Sequence, residues 1–153
     1  MPGREEHKVA GGLAGGSTAL AFAIEQPPLL TVVEVLGGVC GGAYAAGWPD
    51  ILEPALSSHH RDSAHALGPV LLAGKVAFEQ ASSLQHSLRT QAAVCFQKAE
   101  GCSNGLEQLI NLALGLVLHF AAGAVPGIPA GYLSHVALDA GTARGVPILT
   151  RGL

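Results

Sequence analysis

Apolar and small residues fill long stretches of this chain, and polar positions gather in the short segments between them. From Val9 to Ile24 the run V-A-G-G-L-A-G-G-S-T-A-L-A-F-A-I carries no charge and predicts a first helix with small residues at helix-interface spacing. The turn signal Gln26-Pro27-Pro28 follows. Leu29 to Trp48 then holds a single charge, Glu34, over a length close to the ~20 residues that span a bilayer. Pro49 is expected to stop this second helix and to open a polar loop from Asp50 to Asp62. A third apolar segment runs from Ser63 to Phe78, with a kink expected at Pro69. Between Glu79 and Asn104, Ala81, Leu84, Leu88, Ala92, Cys95 and Phe96 recur at helical spacing in a polar background, the mark of an amphipathic surface helix. After Gly101 to Gly105, the run from Gln108 to Leu138 contains no Asp, Glu, Lys or Arg, and Val125-Pro126-Gly127-Ile128-Pro129 is expected to divide it into two helices. The pattern predicts one all-α domain over residues 1–153, a bundle of about five apolar helices and one amphipathic helix, with no competing strand period.

Composition moves this bundle toward a membrane. The chain is 49% hydrophobic and 12% charged, with a mean hydropathy of +0.41, whereas soluble domains carry about 25% charged residues. Its apolar content comes from Ala, Leu, Val and 21 glycines more than from aromatics, as in helices whose backbones approach closely inside lipid. Glu5 and Glu6 stand where a signal peptide is basic, so the first apolar stretch is expected to be retained. A net charge of -3 and eight Lys and Arg provide no basic patch, which argues against nucleic acid as a partner. Cys40, Cys95 and Cys102 lack C-x-x-C spacing and are odd in number, so they read as reduced packing residues.

Ionisable groups within apolar helices are costly and mark function. Three clusters qualify: Trp48 to Pro54 with Asp50 and Glu53, His59 to His65 with His60, Arg61 and Asp62, and Ser134 to Asp139. Taken singly, Asp50 suits a turn, Glu53 a solvated loop, and His59 or His60 an exposed surface. His65 and His135 have apolar surroundings, and Asp139 ends a long uncharged run and needs a partner. His135 and Asp139 are four residues apart and share a helical face, an imidazole and a carboxylate suited to a divalent metal. If the first helix runs away from His7 and the second returns to Asp50, then His7, Asp50 and the His60 to His65 segment meet at one end of the bundle. One or two ions held there with ~2 Å metal–nitrogen bonds require the His65 and His135 rings to lie within roughly 8 Å of each other.

The sequence also resembles a family. Gly131-Tyr132-Leu133-Ser134-His135 through Asp139, Thr142, Gly145, Val146 and Pro147 is similar to the G-Y-x-S-H-x-x-x-D-x-x-T-x-x-G-x-P signature of bacterial membrane-bound, metal-dependent hydrolases of the YdjM type, more distantly related to zinc-dependent phospholipase C and P1-type nucleases. His60-Arg61 with His65 resembles the family's H-R-x-x-x-H element, and Pro49-Asp50 its P-D element. His7 stands where the family places another histidine, just before the first apolar helix. The chain departs from the pattern at Leu52 and Glu53, where Asp-His is common, and at Ala66, where serine is usual. The resemblance implies metal ligation, by zinc or a similar divalent ion, through His7, Asp50, His60, His65, His135 and Asp139, in a multi-pass protein of the bacterial inner membrane.

The expected activity is hydrolysis of a phosphoester, small or lipid-like, by metal-activated water. In that scheme Glu53 or Asp62 serves as base, and Arg61 either pairs with a phosphate through its fork of donors or is an ordinary loop cation. Two other classes compete: a non-catalytic membrane or interaction protein that keeps the same helices, and a soluble module that buries its apolar faces in a homo-oligomer.

Overall fold

In the computed structural model, residues 3–53 and 64–142 are described, and they form four long helices and one short one with no strand among them. α1 spans Arg4–Ala23, α2 Pro28–Ala45, α3 Trp48–Leu52, α4 Leu67–Gly101 and α5 Gly105–Ala140. The all-α expectation holds; the division into helices differs in three places, each for a reason that involves proline.

Pro49 begins a helix instead of ending one. α2 stops at Ala45, and Pro49 is the second residue of α3, where a missing N–H costs nothing because first-turn donors have no intrahelical acceptor. Pro69 produces no mid-helix kink for the same reason. It is the third residue of α4, whose first backbone bond is Val70 N–H to the Ala66 carbonyl, and the helix then runs through the segment expected to be a separate amphipathic helix. Pro126 and Pro129 lie inside α5 without dividing it. Pro126 is fully buried, and Gly123, Gly127 and Gly131 around the two prolines rest against the α2 backbone, so packing on both sides holds a helix that has lost two of its own hydrogen bonds.

Ends are set by local chemistry. The Gly3 N–H donates to the Glu6 carboxylate at 2.6 Å, and the free first-turn donors of α1 favour the acidic pair Glu5 and Glu6. The charged residues before Val9 thus belong to α1, and His7 lies within its first turn. Asn104 caps α5 by accepting the Leu106 N–H at 2.9 Å.

Rows of small residues four apart determine the packing. His7, Gly11, Gly15, Ala19 and Ala23 form such a buried row on α1, Glu34, Gly38 and Gly42 on α2, and Gly115, His119, Gly123, Gly127, Gly131, His135 and Asp139 on α5. A Cβ on Gly123, Gly127 or Gly131 would strike the backbone of Glu34, Gly38 or Gly42 respectively, so α2 and α5 lie parallel in register. Gly11 and Gly15 face Gly42 and Gly38, which sets α1 antiparallel to both. α4 packs antiparallel along α5, with Gly74 against Leu133 and Phe96 against Gly115. α5 touches every other helix.

The interior left by such close approach admits only small or polar side chains. Among the described residues the buried apolar side chains are Ala, Pro49, Pro126, Pro129, Val70, Cys95 and Val136, with no Leu, Ile or Phe. Large apolar side chains such as Leu13, Ile24, Leu29, Leu72, Leu106 and Val117 face outward. Two segments, Pro28–Leu52 and Gly105–Ala140, are long and apolar enough to cross a membrane.

One end of this packing is closed by a buried ionic network. Glu34 Oε1 accepts from Arg89 Nε at 2.9 Å and from His119 Nδ1 at 2.7 Å; Oε2 accepts from Arg89 Nη2 at 2.5 Å and Gln85 Nε2 at 3.5 Å. Arg89 also donates to the Phe22 carbonyl at 2.9 Å, and Phe96 stacks on His119. α1, α2, α4 and α5 are tied at one point.

Four variants check this packing by thermal unfolding. Gly42→Ala, whose Cβ would meet the Gly11 carbonyl, is expected to destabilise by about 1–3 kcal/mol. Gly12→Ala, with its nearest neighbour at an ordinary 3.5 Å, gains about 0.5–1 kcal/mol from helix propensity. Arg89→Met leaves the Glu34 charge buried without its main partner and is expected to cost about 3–5 kcal/mol. The Glu34→Gln, Arg89→Met pair, which removes both charges, loses less.

Candidate metal centre

At the other end, four separate parts of the chain place imidazoles and carboxylates within a few ångströms. α1 contributes His7 from its first turn, α3 contributes Asp50, the residue pair before α4 contributes His65, and the last turns of α5 contribute His135 and Asp139. The antiparallel course of α1 brings His7 opposite Asp139, with Nε2 3.6 Å from Oδ1. The short α3 exists because α2 ends at Ala45, and it turns Asp50 back over the end of α5. Asp50 Oδ1 lies 3.6 Å from His135 Nε2 and 3.7 Å from His65 Nε2. Asp139 Oδ2 stands 3.7 Å from His135 Nε2 and 3.8 Å from His65 Nε2. The His65 and His135 ring centroids are 5.3 Å apart, and His7 stacks on His135 at 3.8 Å.

His135 has its tautomer set by the backbone. Its Nδ1–H donates to the Ala46 carbonyl at 2.6 Å, so the neutral ring carries a lone pair on Nε2. That atom is fully buried, makes no hydrogen bond, and faces the carboxylates of Asp50 and Asp139. A buried lone pair facing carboxylate oxygens at 3.6 and 3.7 Å is an arrangement that a cation between them relieves. Ligands about 2.1 Å from one tetrahedral centre are about 3.4 Å apart, close to the 3.6 and 3.7 Å that separate Asp50 Oδ1 from His135 Nε2 and His65 Nε2. His7 Nδ1 is a second buried nitrogen without a hydrogen bond.

His65 is oriented from outside the cluster. Glu53 Oε2 accepts from its Nδ1 at 3.0 Å and Glu53 Oε1 accepts the Ala64 N–H at 2.7 Å, leaving Nε2 directed at Asp50 and Asp139. This carboxylate–histidine pairing is the usual support of a metal-ligating ring. Two groups of donors, His7 with His135 and Asp139, and Asp50 with His65 and His135, have the residue types and spacing to hold a metal ion. Asp50 is 48% exposed and the other four are buried, so the cluster reaches solvent on the Asp50 side.

Of the residues expected from sequence, His7, Asp50, His65, His135 and Asp139 come together, and Glu53 touches the outer nitrogen of His65. His60, Arg61 and Asp62, with Gly145, Val146 and Pro147, lie outside the described residues. The Ala46 carbonyl was not foreseen as a partner of His135, because nothing in a run of apolar residues distinguishes one carbonyl from the next. Nor was the network around Glu34, although a lone carboxylate in an apolar helix is a signal that a cationic partner exists. Comparison with protein-family models, with curated proteins and with solved structures gave no match.

Proposed function

We propose that this chain is a membrane-associated, metal-dependent hydrolase acting on a phosphoester, multi-pass in a bacterial inner membrane, with zinc or a similar divalent ion in the His and Asp cluster. The single observation that carries the reading is His135 Nε2, a buried lone pair held by the Ala46 carbonyl among two carboxylates. In this reading two overlapping donor groups, Asp50 with His65 and His135, and His7 with His135 and Asp139, would hold one ion or two. A bound divalent ion lowers the pKa of water and polarises a phosphoryl oxygen. Hydrolysis adds the water oxygen to phosphorus and breaks the bond to the leaving alcohol, so a proton must leave the water and one must reach the alcohol. Of the described carboxylates, Asp50 is half exposed and beside both His65 and His135, and would move that proton through the oxygen not engaged with the ion. Glu53 is occupied with His65 Nδ1 and the Ala64 N–H, which favours a positioning role over that of base.

The membrane part rests on the inverted distribution of side chains, small and polar within, large and apolar without. α5 has 36 residues, about 54 Å at 1.5 Å per residue, more than the ~30 Å of a hydrocarbon core. A non-catalytic reading is favoured by one observation, the engagement of Glu53 in internal hydrogen bonds at a position where the resembling family carries histidine.

Elemental analysis of protein purified without chelator or added metal is expected to find a divalent metal bound to the chain. Asp139→Asn keeps the shape and removes the charge. It is expected to lower metal per chain severalfold and abolish phosphodiester hydrolysis while helical content stays constant. Unchanged metal and activity would sink the assignment, and metal with no hydrolysis in the unsubstituted protein selects the non-catalytic reading. After an alkaline carbonate wash the protein is expected in the membrane pellet; a detergent-free species in the supernatant selects the soluble oligomer.

A further inference from the structure

Between α3, α4 and α5 lies a cavity of about 280 Å³ lined by Trp48, Val70, Gly74, Ala77, Pro129 and Tyr132 among others, with no charged side chain in its wall. Gly74 and Leu133, which face each other across α4 and α5, form part of its wall. Its position relates it to the metal centre on two sides. Trp48 is two residues before Asp50 on α3, and Tyr132 is three before His135, about 4.5 Å of helix rise away. The Tyr132 hydroxyl donates to the Ala64 carbonyl at 2.8 Å, beside His65, so its one polar group is spent on positioning the chain next to the cluster. Ala73 and Ala77, at the rim, are exposed, and Leu71, Leu72 and Val76 continue an apolar surface outward along α4.

A ligand that fills this space lies against hydrocarbon walls, and two of the wall residues, Trp48 and Tyr132, stand two and three positions before Asp50 and His135 on the same helices. We infer that the cavity is an acyl-chain subsite, receiving the single hydrocarbon chain of an amphiphile whose phosphoester head meets the His65, His135 and Asp139 cluster. The head-group part of this inference rests on the hydrolase reading above. The tail part rests on the cavity alone, since walls without a charged side chain select an apolar chain. Lipid in bulk, touching the rim without entering, is the alternative occupant.

Trp48 is the only tryptophan of the chain and lines the cavity, so its fluorescence reports on occupancy without any need for turnover. The full chain in detergent micelles is titrated with a dodecyl phosphate carrying bromine along its chain. Saturable quenching is expected, reversed by plain dodecyl phosphate and not by butyl phosphate or inorganic phosphate. Ala77→Phe places a ring over the cavity from an exposed helix position and is expected to weaken the apparent affinity about tenfold or more, because the ring displaces several methylenes of contact. Leu72→Phe, on the outward face of the same helix, leaves it unchanged. Quenching that rises in proportion to quencher without saturating, and equally in Ala77→Phe, would assign the cavity to bulk lipid and overturn the inference. Butyl and dodecyl 4-nitrophenyl phosphodiesters separate this from the reading it builds on. Saturable quenching with neither ester cleaved removes the hydrolase and leaves the subsite; cleavage of both with equal kcat/KM and no saturation removes the subsite and leaves the hydrolase.

Discussion

Backbone touching backbone is the constraint on which the rest of this structure depends. Gly123, Gly127 and Gly131 of α5 approach Glu34, Gly38 and Gly42 of α2 so closely that a single methyl group does not fit. Helices at that distance have no room between them for Leu or Phe, and the large apolar side chains are displaced to the outside. Burial of bulky side chains, the usual source of cohesion in water, is therefore nearly absent among the described residues. Dispersion between flat helix faces and a few strong polar contacts hold the bundle, as in proteins whose surroundings are themselves apolar.

The same rows that bring the backbones together also place the polar groups. The α5 row passes from His119 through three glycines to His135 and Asp139. α2 presents Glu34 at one end of its row and the Ala46 carbonyl at the other. Each end of the α2–α5 contact is thus pinned by polar atoms, and a slip of one residue would break both sets at once. The ionic network around Glu34 is saturated, every carboxylate lone pair having a donor. The cluster at the other end leaves His135 Nε2 without a hydrogen bond. That contrast separates a site which fixes register from one suited to hold something else.

Much of this could be read in the sequence, and the failures have a common cause. Helical class and the apolar segments followed from the spacing of charges and small residues, and the meeting of His7, Asp50 and His65 followed from the reversal of direction between α1 and α2. Proline was misjudged at Pro49, Pro69 and Pro126 with Pro129, because its effect depends on whether its position lies in a first turn or is held by neighbours, and neither is a property of the residue itself. Glu53 illustrates the limit at the candidate site. Residue type suits it to proton transfer, yet its carboxylate sits on the side of His65 away from the cluster, and only the fold decides which side of a ring a carboxylate reaches.

The gap between α2 and α3 has a chemical consequence. In a helix continued past Ala45, the Ala46 carbonyl would receive the N–H of residue 50. Because the helix stops, that oxygen is left to take the proton of His135, and the imidazole loses the freedom to place its hydrogen on either nitrogen. A break in secondary structure has become a choice between two isomers of a side chain on another helix. Mending the break would leave every candidate ligand in the sequence, yet His135 would share with a backbone N–H the oxygen that decides which of its nitrogens carries the hydrogen.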